Sequence, residues 1–184
     1  MSLGTAFEPT LAAARVGAEW AWRDLYREFA PVVARYVKAR RAAEPEDLVA
    51  DVFVQVVRKL DRFSGGEDDL RGWIVTIAHH RFVDSLRSRS RRPVDPVADE
   101  ILAQEGGHAD LEEQALTKLR SDEVQQAMKR LSPDQQDVVF LRLIAGLSIA
   151  EVADALGKKP GAVKALQSRA VAALKRDLPQ AVSS

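Results

Sequence analysis

Residues 132–176 read SPDQQDVVFLRLIAGLSIAEVADALGKKPGAVKALQSRAVAALKR and contain three helix patterns in close succession. Ser132 and Ser148 are each followed three residues later by Gln or Glu, which predicts a capping box at the start of the first two helices. Gly157 can adopt the left-handed conformation that ends a helix, and Pro160 is a favourable first residue for the next one. Two helices joined by so short a turn indicate a helix-turn-helix unit.

The third helix of this stretch has two different faces. Val163 and Ala170 belong to an apolar side that packs inward, whereas the opposite side carries small residues and cations. Small residues let a backbone approach a partner and cations suit phosphate, so this side fits a DNA major groove. Lys158 and Lys159 precede the helix, where its dipole disfavours cations by roughly 0.3–1 kcal/mol each; they either meet a phosphate or simply keep the turn soluble. The outer side consists of Gly161, Lys164, Ala165, Ser168, Arg169, Ala172, Lys175 and Arg176.

The composition of the whole chain narrows the possible classes of protein. Its 184 residues, of which 46% are hydrophobic, suit one or two small helical domains. The absence of cysteine excludes disulfides and thiolate-ligated metals, and it is compatible with the reducing cytoplasm, where we expect the protein to act. No apolar run is long enough to span a bilayer and no signal-peptide pattern opens the chain, so we expect no membrane insertion.

The net charge of zero hides an uneven distribution of charge. Residues 93–113 hold seven acidic residues and no Lys or Arg, residues 114–184 hold 11 basic and 7 acidic residues, and residues 1–92 hold the remaining 16 basic and 13 acidic ones. Two mildly basic blocks, +3 and +4, therefore flank an acidic segment of −7. A nucleic-acid binder is compatible with this distribution, although the average charge alone argues against one.

The first block begins with a helical pattern. Its periodicity starts at Thr10, and we expect residues 1–9 to form a loose leader. Pro45 is a good first residue for a later helix, in which Asp47 and Asp51 lie one turn apart on one face. That face is either simply solvated, which the residues alone favour, or an acidic docking stripe for a basic partner. The buried stripe of this helix is expected to contain Leu48, Val52, Val56, Leu60 and Phe63.

A loop and a long helix follow. Residues 61–69 (DRFSGGEDD) have a Ser-Gly-Gly centre that predicts a loop, and residues 70–92 show helical periodicity with an arginine-rich far end. Trp73 is either a core residue or an exposed ring that stacks on unpaired bases while the arginines follow the phosphates of a single strand. His79 and His80 are expected to be an ordinary surface pair, since neighbours on a helix point about 100° apart and no third metal ligand is evident. One side of the helix carries Trp73, Thr76, His80, Asp84 and Arg87.

The predicted fold is all-α, with two small helical domains joined by an acidic flexible linker. Residues 1–92 form the first domain, residues 93–113 the linker, which contains prolines and a Gly-Gly pair, and residues 114–184 the second domain. The chain has no glycine-rich phosphate loop, no GxSxG pattern and no HExxH pattern. We therefore expect no catalytic residue, no cofactor and no metal, and an enzyme has almost no support.

Three blocks of sequence resemble the ECF-type sigma factors, the smallest class of the sigma-70 family. The block PEDLVADVFVQVVRKLDRF (residues 45–63) is similar to region 2.2 of that family, and LRGWIVTIAHHRFVDSLRSRSRR (residues 70–92) is similar to regions 2.3–2.4. The block LSPDQQDVVFLRLIAGLSIAEVADALGKKPGAVKALQSRA (residues 131–170) resembles region 4. The resemblance implies a promoter-specificity subunit that binds core RNA polymerase and directs it to −10/−35 promoters, and it implies an anti-sigma factor as the inhibitor.

The resemblance also implies roles for particular residues. The surface that docks on the largest polymerase subunit comprises Asp47, Asp51, Val52 and Phe53. The helix that opens the −10 element presents Trp73, Thr76, His80 and Arg87. The loop that captures a flipped base from melted −10 DNA consists of Arg62, Phe63, Ser64 and Gly65. The residues that read the duplex −35 element are Lys158, Lys159, Lys164, Ser168 and Arg169.

The chain departs from the family pattern at three places. His80 stands where Asn is usual, which implies a different base preference at the −10 element. Ala50 stands where Gln is common. The run Ala165-Leu166-Gln167 replaces Ser-Arg-(Leu/Ile) and removes one cation from the recognition helix, which alters the expected −35 sequence.

Two other classes of protein are compatible with parts of the sequence. A free-standing, dimeric helix-turn-helix regulator would bind a palindrome in duplex DNA without a polymerase. The helix over residues 70–92 would then have no role in DNA binding. An enzyme acting on nucleic acid would need a carboxylate cluster for metal-dependent cleavage, and the sequence offers none.

Overall fold

The computed structural model describes residues 2–90 and 122–178. Within these residues the secondary structure is entirely helical, as expected for the all-α class. None of the described helices is both long and apolar enough to cross a membrane. The predicted acidic linker, residues 93–113, lies outside the described residues.

The first half of the chain forms four α-helices. A short 3-10 turn, Gly4–Ala6, leads directly into α1, and another, Leu60–Arg62, follows α3. The prediction of a loose leader over residues 1–9 is wrong for residues 4–9, which are helical and bury the ring of Phe7. The sequence indicates this early helix only weakly, because Phe7 is the one buried apolar residue among the described residues before Thr10. The helices are α1 (Phe7–Arg15), α2 (Glu19–Ala39), α3 (Pro45–Lys59) and α4 (Glu67–Ser90).

The apolar core of this half lies between α2, α3 and α4, and α1 packs on α2. Phe29 and Val33 of α2 are fully buried. The stripe predicted for α3 is confirmed, since every one of its residues is buried. That stripe and its continuation comprise Leu48, Val52, Val56, Leu60 and Phe63.

The second half contains the helix-turn-helix unit. Both predicted capping boxes are present: the hydroxyls of Ser132 and Ser148 accept hydrogen bonds from the backbone N–H groups of Gln135 and Glu151, at 3.3 and 3.2 Å. Gly157 adopts the left-handed conformation, with φ of 60°, as predicted. A π-helical turn, Phe140–Ile144, was not predicted. The helices are α5 (122–129), α6 (Pro133–Val139), α7 (Ile149–Leu156) and α8 (Pro160–Asp177).

The two halves pack against each other. Arg40, the capping residue that follows α2, pairs with Asp137 of α6 at 2.7 Å. Its guanidinium also lies over the rings of Phe82 and Phe140, at 4.5 and 4.8 Å from their centres. One continuous set of buried apolar residues runs from α1 through to Val163 of α8. The contact between the halves therefore has both an apolar and an ionic component.

Candidate nucleic-acid interface

The helix-turn-helix unit presents one face of α8 to solvent. Val163 and Ala170 are fully buried, which fixes the rotation of α8 about its own axis. Small side chains occupy much of the opposite face, where Ala165 and Ala172 are exposed. The exposed polar residues on and before this helix include Lys159, Lys164, Ser168 and Arg169. A shallow concave surface on the same side is lined by Lys164, Gln167, Ser168, Val171, Ala172 and Lys175.

Lys158 differs from the other predicted −35 contacts. Its ammonium group pairs with the carboxylate of Asp134 at 2.8 Å, and the lysine side chain is only 29% exposed. Asp134 belongs to the first turn of α6, where the helix dipole favours an anion. Lys158 would have to leave this partner to contact a DNA phosphate, whereas Lys159, Lys164 and Arg169 are already exposed.

The loop before α4 brings two of the predicted −10 residues into contact. The ring of Phe63 is buried and its centre lies 5.4 Å from that of the half-buried Trp73. Arg62, Ser64 and Gly65 are exposed around this pair. The loop thus presents polar and backbone groups at its surface, with an aromatic pair behind them.

The other predicted −10 residues lie along α4. The Thr76 hydroxyl donates to the carbonyl of Gly72 at 2.9 Å, within its own helix. Arg87, near the end of the described part of α4, is largely exposed and lies 3.7 Å from Asp84. His80 faces the second half of the chain, where its Nε2 lies 3.1 Å from the carbonyl oxygen of Ala155 in α7.

Gly72 leaves space for the side chain of Glu151 where α7 meets α4. A Cβ atom at this position would overlap the carboxylate of Glu151, the residue that completes the capping box of α7. The start of the helix-turn-helix unit therefore lies against the same helix that carries Trp73, Thr76 and His80. In this arrangement α7 covers part of the predicted −10 surface.

His79 does not form a surface pair with His80, contrary to the expectation from the sequence. His79 is buried, and its Nδ1 lies 2.9 Å from the Tyr36 hydroxyl. The pKa of His79 is lowered to about 4, chiefly by burial; Asp137 opposes this shift, and Arg40 and His80 add to it. The same burial raises the pKa of Tyr36. Among the described residues no group of three His, Asp or Glu side chains could hold a metal ion.

The predicted polymerase-docking set is divided between surface and core. Asp47 and Asp51 are exposed, and the Asp51 carboxylate accepts a hydrogen bond from Arg81 of α4 at 2.8 Å. Val52 is fully buried and Phe53 nearly so. The acidic stripe is thus available to a partner, whereas Val52 and Phe53 support it from within.

Exposed apolar side chains on α2 and α3 were not expected from the sequence. Tyr26 is 49% exposed although its ring packs on Phe53 at 4.6 Å between centres. Val54 and Val57 of α3 are also about half exposed. The sequence does contain an indication of this exposure, because these two valines lie outside the periodic buried stripe of α3.

Comparison with known families matches both halves of the chain. The family description "Sigma-70 region 2" matches residues 25–92, and "Sigma-70, region 4" matches residues 121–174. The RNA polymerase sigma factor YlaC of Bacillus subtilis is 31% identical over 161 residues, which cover 84% of this chain and 90% of YlaC. The ECF RNA polymerase sigma factor BldN of Streptomyces coelicolor is 36% identical over 168 residues. That match covers 90% of this chain but spans only 63% of the length of BldN.

A solved structure shares the fold. The sigma factor RpoE from Bartonella quintana, crystallised in complex with the anti-sigma factor NepR, superposes with a TM-score of 0.65 and is 24% identical. The superposition covers 86% of this chain and 97% of the RpoE chain. At this identity the likeness establishes the helical architecture and no more.

Proposed function

The chain belongs to the sigma-70 family, among its ECF sigma factors, and we propose that it is the promoter-specificity subunit that binds core RNA polymerase and directs initiation at −10/−35 promoters. One observation carries this proposal: the two family-matched segments each present a surface suited to nucleic acid. The first of these surfaces is the outer face of α8. The second is the exposed loop before α4, which lies over the rings of Phe63 and Trp73. The protein supplies no catalytic chemistry in this role, which it performs in the cytoplasm with the polymerase.

The −35 element is read by α8. Its exposed alanines allow the helix backbone to enter the major groove, and its first turns lie nearest the base edges. Lys159, Lys164 and Arg169 contact phosphates, and Ser168 can hydrogen-bond to phosphate or to a base edge. Lys158 joins them when a phosphate replaces Asp134 as its partner.

The −10 element is read as melted DNA by the loop over residues 62–65 and by α4. Flipping a base out of the stack costs a few kcal/mol, so a pocket that fits one base discriminates sharply. The exposed Ser64 and Gly65 offer hydrogen-bonding groups to such a base. Trp73 provides an aromatic surface on which an unpaired base stacks, and Arg87 contacts a phosphate of the same strand.

Core polymerase docks on the acidic stripe of α3. Asp47 and Asp51 supply two exposed carboxylates for a basic partner surface. The half-exposed Val54 and Val57 lie on the same helix and extend this surface with apolar area. The buried Val52 and Phe53 act indirectly, because they fix the position of α3.

The two halves must separate when both promoter elements are bound. Elements centred near positions −35 and −10 are roughly 25 base pairs apart, or roughly 85 Å at 3.4 Å per base pair. In the closed arrangement, His80 of the −10 surface lies 3.1 Å from Ala155 of the helix-turn-helix unit. We infer that residues 1–92 and 114–184 move as two domains, with residues 93–113 as the linker that permits their separation.

An anti-sigma factor holds the protein inactive. RpoE of Bartonella quintana is bound by such a protein. In this chain an apolar groove of about 590 Å³ runs between the two halves, with Leu86, Val124 and Leu143 exposed at its border. An amphipathic helix of the inhibitor fits a groove of this kind. A purified candidate inhibitor should block transcription with the wild-type protein and fail with Leu143→Asp, which places a charge in the groove.

Transcription by purified bacterial core RNA polymerase tests the proposed function. The reaction is run on genomic DNA with and without the protein, and the 5′ ends of the RNA are mapped. Discrete new starts that share two upstream elements are expected. An absence of new starts, together with tight binding of the protein alone to duplex DNA, would instead favour a free-standing helix-turn-helix regulator.

A further inference from the structure

Residues 2–15 hold both ends of the loop that precedes α4. At one end, the Glu67 carboxylate accepts hydrogen bonds from the Ser2 hydroxyl at 2.9 Å, the Leu3 N–H at 2.8 Å and the Gly4 N–H at 2.9 Å. At the other end, the Arg15 guanidinium donates to the Phe63 carbonyl at 2.5 Å. These contacts join parts of the chain that are far apart in sequence.

The anchor for these contacts is itself fixed. Helix α1 buries Phe7, Leu11 and Ala14, so the core rather than the loop holds the position of α1. The pKa of Glu67 lies below its usual range. Slight burial by itself would raise this pKa, but the hydrogen bonds from Leu3, Gly4 and Ser2 together lower it by more. The carboxylate is therefore charged at neutral pH, which strengthens its hydrogen bonds.

The interior of the loop is also restricted. The Gly66 N–H donates to the Asp69 carboxylate at 2.8 Å. Gly65 has φ of 142°, and a Cβ there would lie 2.8 Å from the Cβ of Asp69, so only glycine fits. Ser64 and Gly65 remain exposed between the two held ends. Their backbone groups are thus presented in one shape before any ligand arrives.

We propose that Arg15 and Glu67 are positioning residues that, with residues 2–4, hold this loop in the shape that accepts a flipped −10 base. The inference rests on the proposed function and deepens it. Neither residue needs to touch DNA. Arg15 holds the backbone just before Ser64 and Gly65, and Glu67 holds the backbone just after them. A preorganised loop binds its base without first losing conformational freedom, and a displacement on the order of 1 Å is enough to weaken a reacting or binding geometry greatly.

The test uses holoenzyme reconstituted from core polymerase and the full chain, on a promoter found by mapping start sites. Strand opening at the −10 element is followed by permanganate footprinting on templates in which each −10 base is changed in turn. For Arg15→Ala and Glu67→Ala we expect about tenfold less discrimination at one −10 position. Polymerase affinity and binding to a duplex −35 fragment should stay within about twofold of wild type. Arg15→Lys, which keeps a donor, should recover part of the discrimination.

Matched controls distinguish positioning from general stability. Arg23→Ala and Glu8→Ala remove an exposed charge of the same sign from α2 and α1, and both should leave discrimination unchanged. Equal losses at all −10 positions and in polymerase affinity would show that Arg15 and Glu67 merely stabilise the fold, and would overturn the inference. Unchanged discrimination would overturn it as well. Failure of the wild-type holoenzyme to open any promoter would instead refute the proposed function itself.

Discussion

Arg40 and Asp137 form an ion pair between the two halves of the chain, with their side-chain atoms 2.7 Å apart and only 9% and 17% of the two side chains exposed. Removing one partner of a buried pair leaves the other charge desolvated and unpaired. We therefore expect Asp137→Ala to lower the free energy of unfolding by about 3 kcal/mol. Urea denaturation followed by circular dichroism measures this loss.

Two further variants test this account of the pair. The double variant Arg40→Met, Asp137→Leu removes both charges and should recover most of the lost stability, since no charge remains buried. Asp24→Ala breaks an exposed pair with Arg27, at 3.1 Å, and should cost under about 1 kcal/mol. An equal loss for Asp24→Ala and Asp137→Ala would show that burial contributes nothing to the second.

Lys164 and Arg169 should each contribute to −35 recognition. Replacing either by Ala removes a cation from the exposed face of α8, and we expect about tenfold weaker −35-dependent initiation, corresponding to roughly 1.5 kcal/mol. The dependence of log K on log salt should become shallower by about 0.9 for each phosphate that the variant no longer neutralises. Filter binding over a salt series measures the slope. Lys129→Ala, an exposed lysine outside α8, should change neither quantity, and a loss of polymerase binding in Lys164→Ala would contradict the assignment of this face.

Asp51→Arg should abolish polymerase binding without unfolding the protein. The change reverses a charge on the acidic stripe and places a second guanidinium beside Arg81. The ion pair that this variant breaks is largely exposed, so the cost in stability should be at most about 1 kcal/mol. Polymerase affinity is measured by fluorescence anisotropy and folding by circular dichroism. Asp154→Arg, at an exposed acid of α7, is the matched control, and tight polymerase binding by Asp51→Arg would remove the stripe from the docking surface.

His79 should make the folded state sensitive to mild acid. Burial holds its pKa at about 4 in the folded protein, below the ordinary 6.5, so the unfolded state binds more protons between these values. Stability contributed by neutral His79 is complete above about pH 6.5 and is lost as the pH falls towards 4, by about 3 kcal/mol at 1.36 kcal/mol per pH unit.

The measurement is the free energy of unfolding against pH in the wild type and in the double variant Tyr36→Phe, His79→Leu. This variant removes both partners of the buried hydrogen bond, so no polar atom is left unpaired. Between pH 6.5 and 4 its stability should fall less steeply than that of the wild type, because the contribution of His79 to the pH dependence is gone. Identical slopes would mean that His79 is already protonated in the folded state.

Local signals account for what the sequence predicted well. Ser132, Ser148, Gly157 and Pro160 each act on the backbone within a few residues, so their positions fix the helix ends without reference to the rest of the chain. The buried stripe of α3 follows equally from its period. That period placed Val52 and Phe63 in the core, as the structure confirms, whereas the family resemblance assigned both to binding surfaces.

Interactions between distant residues account for what the sequence did not predict. Adjacent helical positions point about 100° apart, so the sequence separates His79 from His80 but does not say which one is buried. The choice depends on Tyr36 of α2 and on Ala155 of α7, which approach α4 from different directions. The early start of the helical N-terminal region likewise depends on Glu67, a residue of α4 that satisfies the backbone of Leu3 and Gly4.

The contacts of Glu151 with Gly72 and of Ala155 with His80 should make reading of the −10 element conditional on release of the helix-turn-helix unit. Because α7 covers part of the surface that carries Trp73, Thr76 and His80, we expect the free energy that holds α7 on α4 to oppose binding of melted −10 DNA. The outer face of α8 is exposed in the closed form, so this free energy does not oppose binding of a −35 element alone. Gly72→Ala displaces the Glu151 carboxylate and should weaken the closed form, so we expect it to raise the affinity for a single-stranded −10 fragment and to leave the affinity for a duplex −35 fragment unchanged.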